Sequence, residues 1–441
     1  MSCSFKKFFK SPALLSLTAL GILLLLAMAC GGSDGAAGAA GAAGASSTGS
    51  AGVYKATIDS VSIKGVTVDT TAHTTTVKFT LSDSDGILIT TVASASSFRF
   101  ALAQLIPGTA TTSNAWQSYY SRTRSSSSYD AAIQATYESA SSSRLSVALD
   151  GTWSYVFSYD VQAVTSPVAV TYDASRTHRV AMQVTGLSYN PIYDFRPDGG
   201  VITETRDIVI ENNCNECHTK LEFHGGGRNQ TKYCVVCHNP GTKGVSKNND
   251  HPVELDMQAM IHSTHRGDDL PSNVAGEGGT GAGNYTIVGY SDSLHSYDDI
   301  KIPWYSSTGK PAQDCTLCHR SGSTTADYGN YKTKPSRANC GSCHNTVNFA
   351  TGEGHSSGNV AMTSDSQCAT CHDASYIESK HVTQARKVQE KAKDYDYIVH
   401  YVGNVSPGDY PKVTFSMVNP TNRTAPYDVT STASGNDNDI N

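Results

Sequence analysis

The sequence predicts a mixed fold, in which an N-terminal all-β domain is followed by a loop-rich domain with few short helices. Three observations support this prediction. Apolar residues alternate at period two between residues 53 and 205, as they do in strands with one buried face. Residues 206–400 show poor periodicity and are rich in Gly, Asn and Ser. Ten of the 12 cysteines of the chain lie in that second stretch, in five close pairs.

Residues 1–29 have the pattern of a signal peptide. A basic segment precedes an apolar run that is short for a membrane span and ends in small residues. Residues 26–30 resemble a bacterial lipobox, which implies lipidation of Cys30; ordinary cleavage beside an unused Cys is the alternative. Residues 30–52 are rich in Gly and Ala, and this composition predicts a lipidated, flexible tether. We therefore expect an outer membrane lipoprotein, because Gly31 and not Asp follows Cys30 and nothing resembles an inner-membrane retention signal.

Residues 53–205 predict an antiparallel β domain, since alternation implies one buried and one wet face. Turn signals at residues 83–86, 150–151 and 197–200 separate the alternating runs. A sandwich or small barrel of about seven or more strands fits this spacing. The residues that alternate are Val77, Phe79 and Leu81; Phe98, Phe100 and Leu102; Trp153, Tyr155, Phe157 and Tyr159; and Val180, Met182 and Val184.

Five Cys-x-x-Cys-His motifs carry the chemical signal. In such a motif, two thiols reach the two vinyl groups of one porphyrin, and the following His binds its iron. Disulfides or zinc sites are the alternative, but they do not require a His after every second Cys. The sequence therefore predicts five covalently attached haem c groups, held by Cys214, Cys217 and His218; Cys234, Cys237 and His238; Cys315, Cys318 and His319; Cys340, Cys343 and His344; and Cys368, Cys371 and His372.

The sixth iron ligand is predicted to be His throughout, because eight further His lie in or near the motif region. We favour His224, which precedes three glycines; His262 and His265, three apart on a predicted helical turn; and His355 and His381 near the last motif. The less favoured alternatives are His251, His295 and His400, and the Met residues 257, 260 and 362. Two nitrogen ligands suit electron transfer, and no catalytic residue is predicted.

The motif region, residues 206–400, offers 195 residues for five haems, or 39 for each. Because so little chain cannot build its own core, we expect the haems to form it, with loops and short helices such as one over residues 383–393 around them. Residues 401–441 alternate again at Val413, Phe415 and Met417 and predict the start of a second β domain, truncated.

The sequence resembles the OmcA/MtrC family of outer-membrane multihaem cytochromes. The resemblance rests on residues 214–228, 233–242, 260–265 and 352–355, and on the order of lipobox, β domain and haem domain. It implies a split-barrel β domain, bis-His haems with the five favoured His as distal ligands, and electron transfer to extracellular metal oxides, flavins or other cytochromes. Family members usually carry ten haems, so the chain resembles a half-length, pentahaem member.

The expected function is therefore electron relay at the cell surface, with a porin–cytochrome complex of the outer membrane or other cytochromes as partners. Any reductase activity would be toward extracellular Fe(III) or Mn(IV). A filament-forming cytochrome subunit and a multihaem oxyanion reductase are the alternatives. Nucleic acid is excluded as a partner, because the net charge is −6 and the sequence shows no basic face.

Overall fold

A computed structural model describes residues 57–245, 253–272, 285–300, 314–322, 325–355, 358–382, 391–403, 406–408, 410–421, 423 and 426–427. The predicted signal peptide and tether, Cys30, His251 and most of the helix expected over residues 383–393 lie outside the described residues. Within the described residues, no helix has the length and apolarity needed to cross a membrane.

The predicted N-terminal β region is confirmed, and every strand pair in it is antiparallel. Turns close at the predicted signals, where Gly86, Gly151 and Gly199 adopt positive φ angles. The strands are β1 (Ser60–Asp69), β2 (Thr74–Ser82), β3 (Phe98–Ile106), β4 (Ala115–Ser118), β5 (Ser121–Arg124), β6 (Ala132–Ala135), β7 (Glu138–Ser139), β8 (Leu145–Val147), β9 (Trp153–Val156), β10 (His178–Val184) and β11 (Ile192–Phe195).

Two sheets enclose the main hydrophobic core. One sheet has the strand order β1-β2-β9-β8, and the other has the order β11-β10-β3-β4, with β7 also pairing with β3. Phe79 of the first sheet contacts Phe98 and Phe100 of the second, with ring centroids 5.8 and 5.9 Å apart. Phe100 stacks on Tyr155 at 4.1 Å. The residues predicted from alternation in β2 and β3 thus form the contact between the sheets.

The loop-rich second region is also confirmed, and its helices are short. The longest described helix after residue 195 has 10 residues. The helices are α1 (Glu211–Asn215), α2 (Thr231–Cys237), α3 (Met257–Arg266), α4 (Asn330–Thr333), α5 (Arg337–Gly341), α6 (Cys368–Cys371) and α7 (Ala374–Lys380), and a small hairpin pairs β12 (Thr286–Val288) with β13 (Leu294–Ser296).

Strands β3 and β10 depart from the prediction of one wet face, because nearly all of their residues are buried on both faces. Helix α2 covers the second face. Ala101, Ala103 and Ala181 form a flat platform there, and Tyr233 and Val236 of α2 pack on it. Small side chains allow this close approach, so alternation between large and small apolar residues marks a sheet that is covered twice.

A last hairpin pairs β14 (Asp396–Gly403) with β15 (Lys412–Val418). The alternating residues Val413, Phe415 and Met417 lie on β15, as the pattern predicts. Strand β14 spans the domain boundary expected between residues 400 and 401, and the assignment of residues 401–441 to a second β domain stays a prediction.

Candidate haem centres

All five motifs adopt the same local turn. The backbone N–H of each motif His donates to the carbonyl oxygen of the first motif Cys, four residues earlier, at 2.7 to 3.0 Å. Residues three apart on such a turn lie on the same side. The two thiols of each motif therefore face the same way, as attachment to one porphyrin edge requires.

Each motif His faces one of the five distal His predicted from sequence, and no distal His is shared. The ring centroids of the five pairs are 5.9 to 6.4 Å apart. The pairs are His218 with His265 (5.9 Å), His238 with His224 (6.1 Å), His319 with His262 (6.2 Å), His344 with His381 (6.4 Å) and His372 with His355 (6.1 Å).

This spacing fits two imidazoles on opposite sides of one metal ion. An imidazole nitrogen binds a first-row metal at about 2.0 Å, and the ring centroid lies about 1.1 Å beyond it, so opposite rings have centroids roughly 6.2 Å apart. The five observed distances scatter closely around that value. The pairs are thus spaced for a shared iron.

The other ligands of such an iron must come from outside the chain. Among the described residues, no three His, Cys, Asp or Glu side chains converge to hold a metal ion. None of the ten motif cysteines forms a disulfide. Two axial imidazoles with four equatorial nitrogens from a porphyrin complete the coordination of a haem iron, so the donor set fits haem and does not fit a protein-only zinc site.

Hydrogen bonds from Nδ1 to backbone carbonyls fix the orientation of several of these imidazole rings. Nδ1 of His265 donates to the carbonyl of Ile261 at 2.8 Å, and Nδ1 of His381 donates to Ile377 at 2.7 Å. The same contact joins His238 to the carbonyl of Leu255 and His355 to that of Val360. Because a carbonyl only accepts, Nδ1 carries the proton and Nε2 is left as the ligand atom.

His262 is oriented by a serine. The hydroxyl of Ser342 donates to the carbonyl of Asn339 at 2.6 Å, so it can accept from Nδ1 of His262, which lies 3.2 Å away. Burial lowers the pKa of His262 to about 4, and burial has the same effect on His319. This pair is therefore neutral at physiological pH, which is the form that binds metal.

The pairing does not follow the order of the chain. His381 comes after the fifth motif but faces His344 of the fourth, whereas His355 comes before the fifth motif and faces His372 within it. On helix α3, His262 faces the third motif and His265 faces the first. Sequence spacing selected the five distal residues, but it left open which motif each one serves.

The remaining described His face no motif His. His295 lies in exposed strand β13 near Ser293, and His400 bonds to Ser416 across the last hairpin. In the β domain, His73 pairs with Asp160, and His178 is buried in the core. The lower preference given to His295 and His400 agrees with these positions.

Contacts between motif segments give an order in space. Thr231, before the second motif, bonds to Glu211, before the first, at 3.2 Å. Asn213, beside the first motif, donates to the carbonyl of Cys318 in the third at 2.7 Å. The contact of His262 with Ser342 links the third motif to the fourth, and Arg337 bonds to Asp365 to link the fourth to the fifth at 2.7 Å. The order is second, first, third, fourth, fifth.

An antiparallel β domain joined to a loop-rich region with repeated Cys-x-x-Cys-His turns and facing His pairs defines a multihaem c-type cytochrome. Residues 62–202 match the family described as "OmcA-like N-terminal domain", and residues 206–384 match "Outer membrane cytochrome MtrC/MtrF-like, domains II/IV". The chain belongs to the OmcA/MtrC family of multihaem cytochromes.

Individual relatives agree with this membership. The multihaem cytochrome MtrC of Shewanella baltica (strain OS185) is 26% identical over 298 residues, which are 64% of this chain and 36% of that protein. The crystal structure of the outer membrane decahaem cytochrome OmcA is similar with a TM-score of 0.59 and 25% identity, over 83% of this chain and 54% of that one.

The crystal structure of MtrC from Shewanella baltica OS185 shares the fold, with a TM-score of 0.54 and 22% identity, over 82% of this chain and 50% of that one. The chain therefore spans about half the length of these two solved structures, and about a third of the curated relative.

Proposed function

We propose that this protein relays electrons through five bis-His haem c groups at the cell surface. The observation that carries the proposal is the set of five facing His pairs, one for each motif, at the spacing of two axial ligands on one iron. When bound, haem supplies an iron that exchanges one electron between its ferric and ferrous states. Two fixed imidazoles keep that exchange free of ligand rearrangement.

The proposed ligand sets follow from the pairs. The thiols of each motif would attach one haem, and the motif His and its facing His would be the two protein ligands of its iron. This arrangement disfavours the oxyanion reductase, which needs an iron with an open or weakly held position. Each motif His here has its own imidazole partner, so no motif is left for such a site.

The proposed relay follows the order of contacts between the motifs. Two of its links are hydrogen bonds that involve a motif or its neighbouring residue directly, from Asn213 to Cys318 and from His262 to Ser342. Helix α3 supplies ligands to the first and third motifs, which fixes these two haems relative to each other. Contacts of this kind bring adjacent haems close, as electron hopping requires.

The place of action and the acceptors are part of the same proposal. The lipobox-like sequence supports lipidation at Cys30 and anchoring in the outer membrane, and the solved relative OmcA is described as an outer membrane decahaem cytochrome. Extracellular metal oxides, flavins or other cytochromes are the proposed acceptors, and a porin–cytochrome complex is the proposed donor. Residues 53–205 and 206–400 are the proposed β and haem domains.

The test uses the protein matured in a bacterium that attaches haem c. The intact mass should exceed that of the mature chain by five haems plus lipid, and the spectra of both oxidation states should be those of six-coordinate, low-spin haem. Reduced protein should be reoxidised by soluble ferric complexes. Fewer than five haems, or CO binding to the reduced wild-type protein, would contradict the proposed ligand sets.

A further inference from the structure

Arg228 closes the loop that carries His224. The backbone N–H of Phe223 donates to the carbonyl of Arg228 at 2.9 Å, so the loop between them is held at its base. His224 itself has a positive φ of 54°, and the glycines that follow supply the rest of the turn. Asn190 of the β domain donates to the carbonyl of Gly227 at 3.0 Å. The positions of His224 and Arg228 are therefore fixed together.

The guanidinium of Arg228 lies among side chains next to the second motif. It stands over the ring of Tyr137, 4.7 Å from the centroid, and over that of Tyr233 at 5.5 Å. Its Nε donates to Oε1 of Gln183 at 3.2 Å. Tyr233 directly precedes Cys234, so the positive charge of Arg228 contacts the residue next to the proposed haem attachment.

No described carboxylate forms an ion pair with Arg228. The same holds for Arg99, which approaches the other contact residue, Tyr137, at 5.3 Å. Two arginines beside other motifs differ, because each forms an ion pair with a carboxylate. Arg320 pairs with Glu216 between the first and third motifs, and an arginine–aspartate pair lies between the fourth and fifth. The second motif thus lies beside positive charge with no described carboxylate paired to it.

Arg228 is close to both sides of one proposed haem site. It follows the proposed distal ligand His224 by four residues in the same closed loop, and its guanidinium contacts Tyr233, the residue before Cys234.

Resting on the proposed function, we infer that Arg228 raises the reduction potential of the haem held by Cys234, Cys237 and His238, so that electrons collect there first. Reduction of one haem adds one electron and therefore one negative charge, and it requires no proton. A nearby positive charge that is not neutralised stabilises the reduced state, especially in a partly buried site where solvent screens it weakly. This haem lies at the end of the motif order next to the β domain.

Arg228→Gln, which keeps hydrogen-bonding groups but removes the charge, is the main variant. In a potentiometric titration, one of five haem midpoints should fall, with the ratio of reduced to oxidised haem lowered roughly tenfold at a fixed potential, or about 59 mV for one electron. Arg228→Lys keeps the charge and should leave the midpoint nearly unchanged. Arg196→Gln is the matched control, because the charge of Arg196 is paired with Asp198.

Electron paramagnetic resonance identifies the affected haem. Parallel imidazole planes split the iron d orbitals strongly and give a rhombic signal, whereas perpendicular planes leave them nearly degenerate. The rings of His224 and His238 are the most nearly parallel of the five pairs, at 31°. The rhombic signal that titrates at the highest potential should therefore be the one that shifts.

Arg99→Gln provides a second route if Arg228→Gln fails to load five haems, since it should lower the same midpoint by a smaller amount. The inference is wrong if a fully loaded Gln variant at either position leaves all five midpoints in place. In that case five low-spin haems would still support the proposed function. A wild-type protein with fewer than five low-spin haems would instead count against the proposed function itself.

Discussion

His381 offers a sharp test of the proposed ligand assignment, because the structure and the sequence order point to different haems. It follows the fifth motif by nine residues, but its ring faces His344 of the fourth at 6.4 Å. Substitution of His381 by Ala should therefore open the haem of the fourth motif. The fifth haem should stay six-coordinate, because His355 faces His372 at 6.1 Å.

The size of the effect follows from the number of motifs. One of five haems loses its distal ligand, so about one fifth of the total haem should bind CO after reduction, whereas the wild type should bind none. The ring planes of His344 and His381 meet at 71°, a steep angle that predicts a strongly anisotropic signal in electron paramagnetic resonance. The strongly anisotropic signal should lose intensity in the variant but not vanish, because the rings of His218 and His265 meet at 89° and should keep their own contribution.

The assay assigns the open haem with a second set of substitutions. Removal of the fourth haem by Cys340→Ala and Cys343→Ala should abolish the CO binding that His381→Ala creates. Removal of the fifth haem by Cys368→Ala and Cys371→Ala should leave it intact. His400→Ala is the matched control, since His400 bonds to Ser416 and faces no motif His. It should bind no CO.

The opposite pattern would refute the assignment. If CO binding survives loss of the fourth haem and disappears with the fifth, His381 serves the nearer motif in sequence and the crossed pairing is wrong. Unchanged six-coordination in His381→Ala would show that another residue holds the iron. The haem content of every variant, from its intact mass, separates these results from a loss of haem attachment.

Three further predictions concern the framework. Burial lowers the pKa of His178 from 6.5 to about 4, so between these pH values the unfolded chain binds a proton that the folded chain does not. The contribution of His178 to the free energy of unfolding of the β domain should therefore be full above pH 6.5 and fall by about 3 kcal/mol toward pH 4. His178→Gln should remove that pH dependence from melting curves recorded across this range. Ala181→Leu should overpack the contact with α2 and cost about 1–3 kcal/mol in chemical unfolding, whereas Ala163→Leu at an exposed position should be neutral. Protein made without haem attachment should lose residues 206–382 to limited proteolysis and keep residues 57–205, and equal resistance of both regions would contradict a haem-built core.

The sequence predicted the antiparallel β region because alternation carries enough information about a half-buried strand. Val77 and Phe79 alternate with polar residues, and both are buried in the core between the sheets. Alternation was less informative for β3 and β10, where Ala103 and Ala181 occupy the second face. Small residues are compatible with exposure or with close packing, and only the position of α2 decides between them.

The five His that face a motif His could be selected as a set from the sequence, but their pairing could not. The glycines after His224 signalled a tight loop, and the three-residue spacing of His262 and His265 signalled one side of a helix. Pairing depends on where loops of irregular structure return, which local propensity does not encode. The crossing of His355 and His381 is therefore information that only the three-dimensional structure supplies.

Hydrogen bonds to the ring nitrogens were also beyond sequence reasoning, because most acceptors are backbone carbonyls, which every residue possesses. Ile261 and Ile377 gave no signal in the sequence as partners of histidines, although each lies four residues before the His it orients. That spacing is a helical turn, so a ligand His at or just beyond the end of a helix can use the carbonyl one turn earlier. The last four carbonyls of a helix lack intrahelical partners, and that of Ile377 in α7 is one of them, so it is free to accept from His381.

Helix α3 explains how so short a chain can fix several haems at once. His262 and His265 lie three residues apart on it and face the third and first motifs, while the buried Ser263 between them donates to the carbonyl of Ser342 in the fourth motif at 3.0 Å. One rigid element of ten residues thus contacts three of the five motifs. In the proposed ligand sets, a shift of this helix would move ligands of two haems together. The distance between those haems would then be set by the geometry of one ten-residue helix and not by the loops.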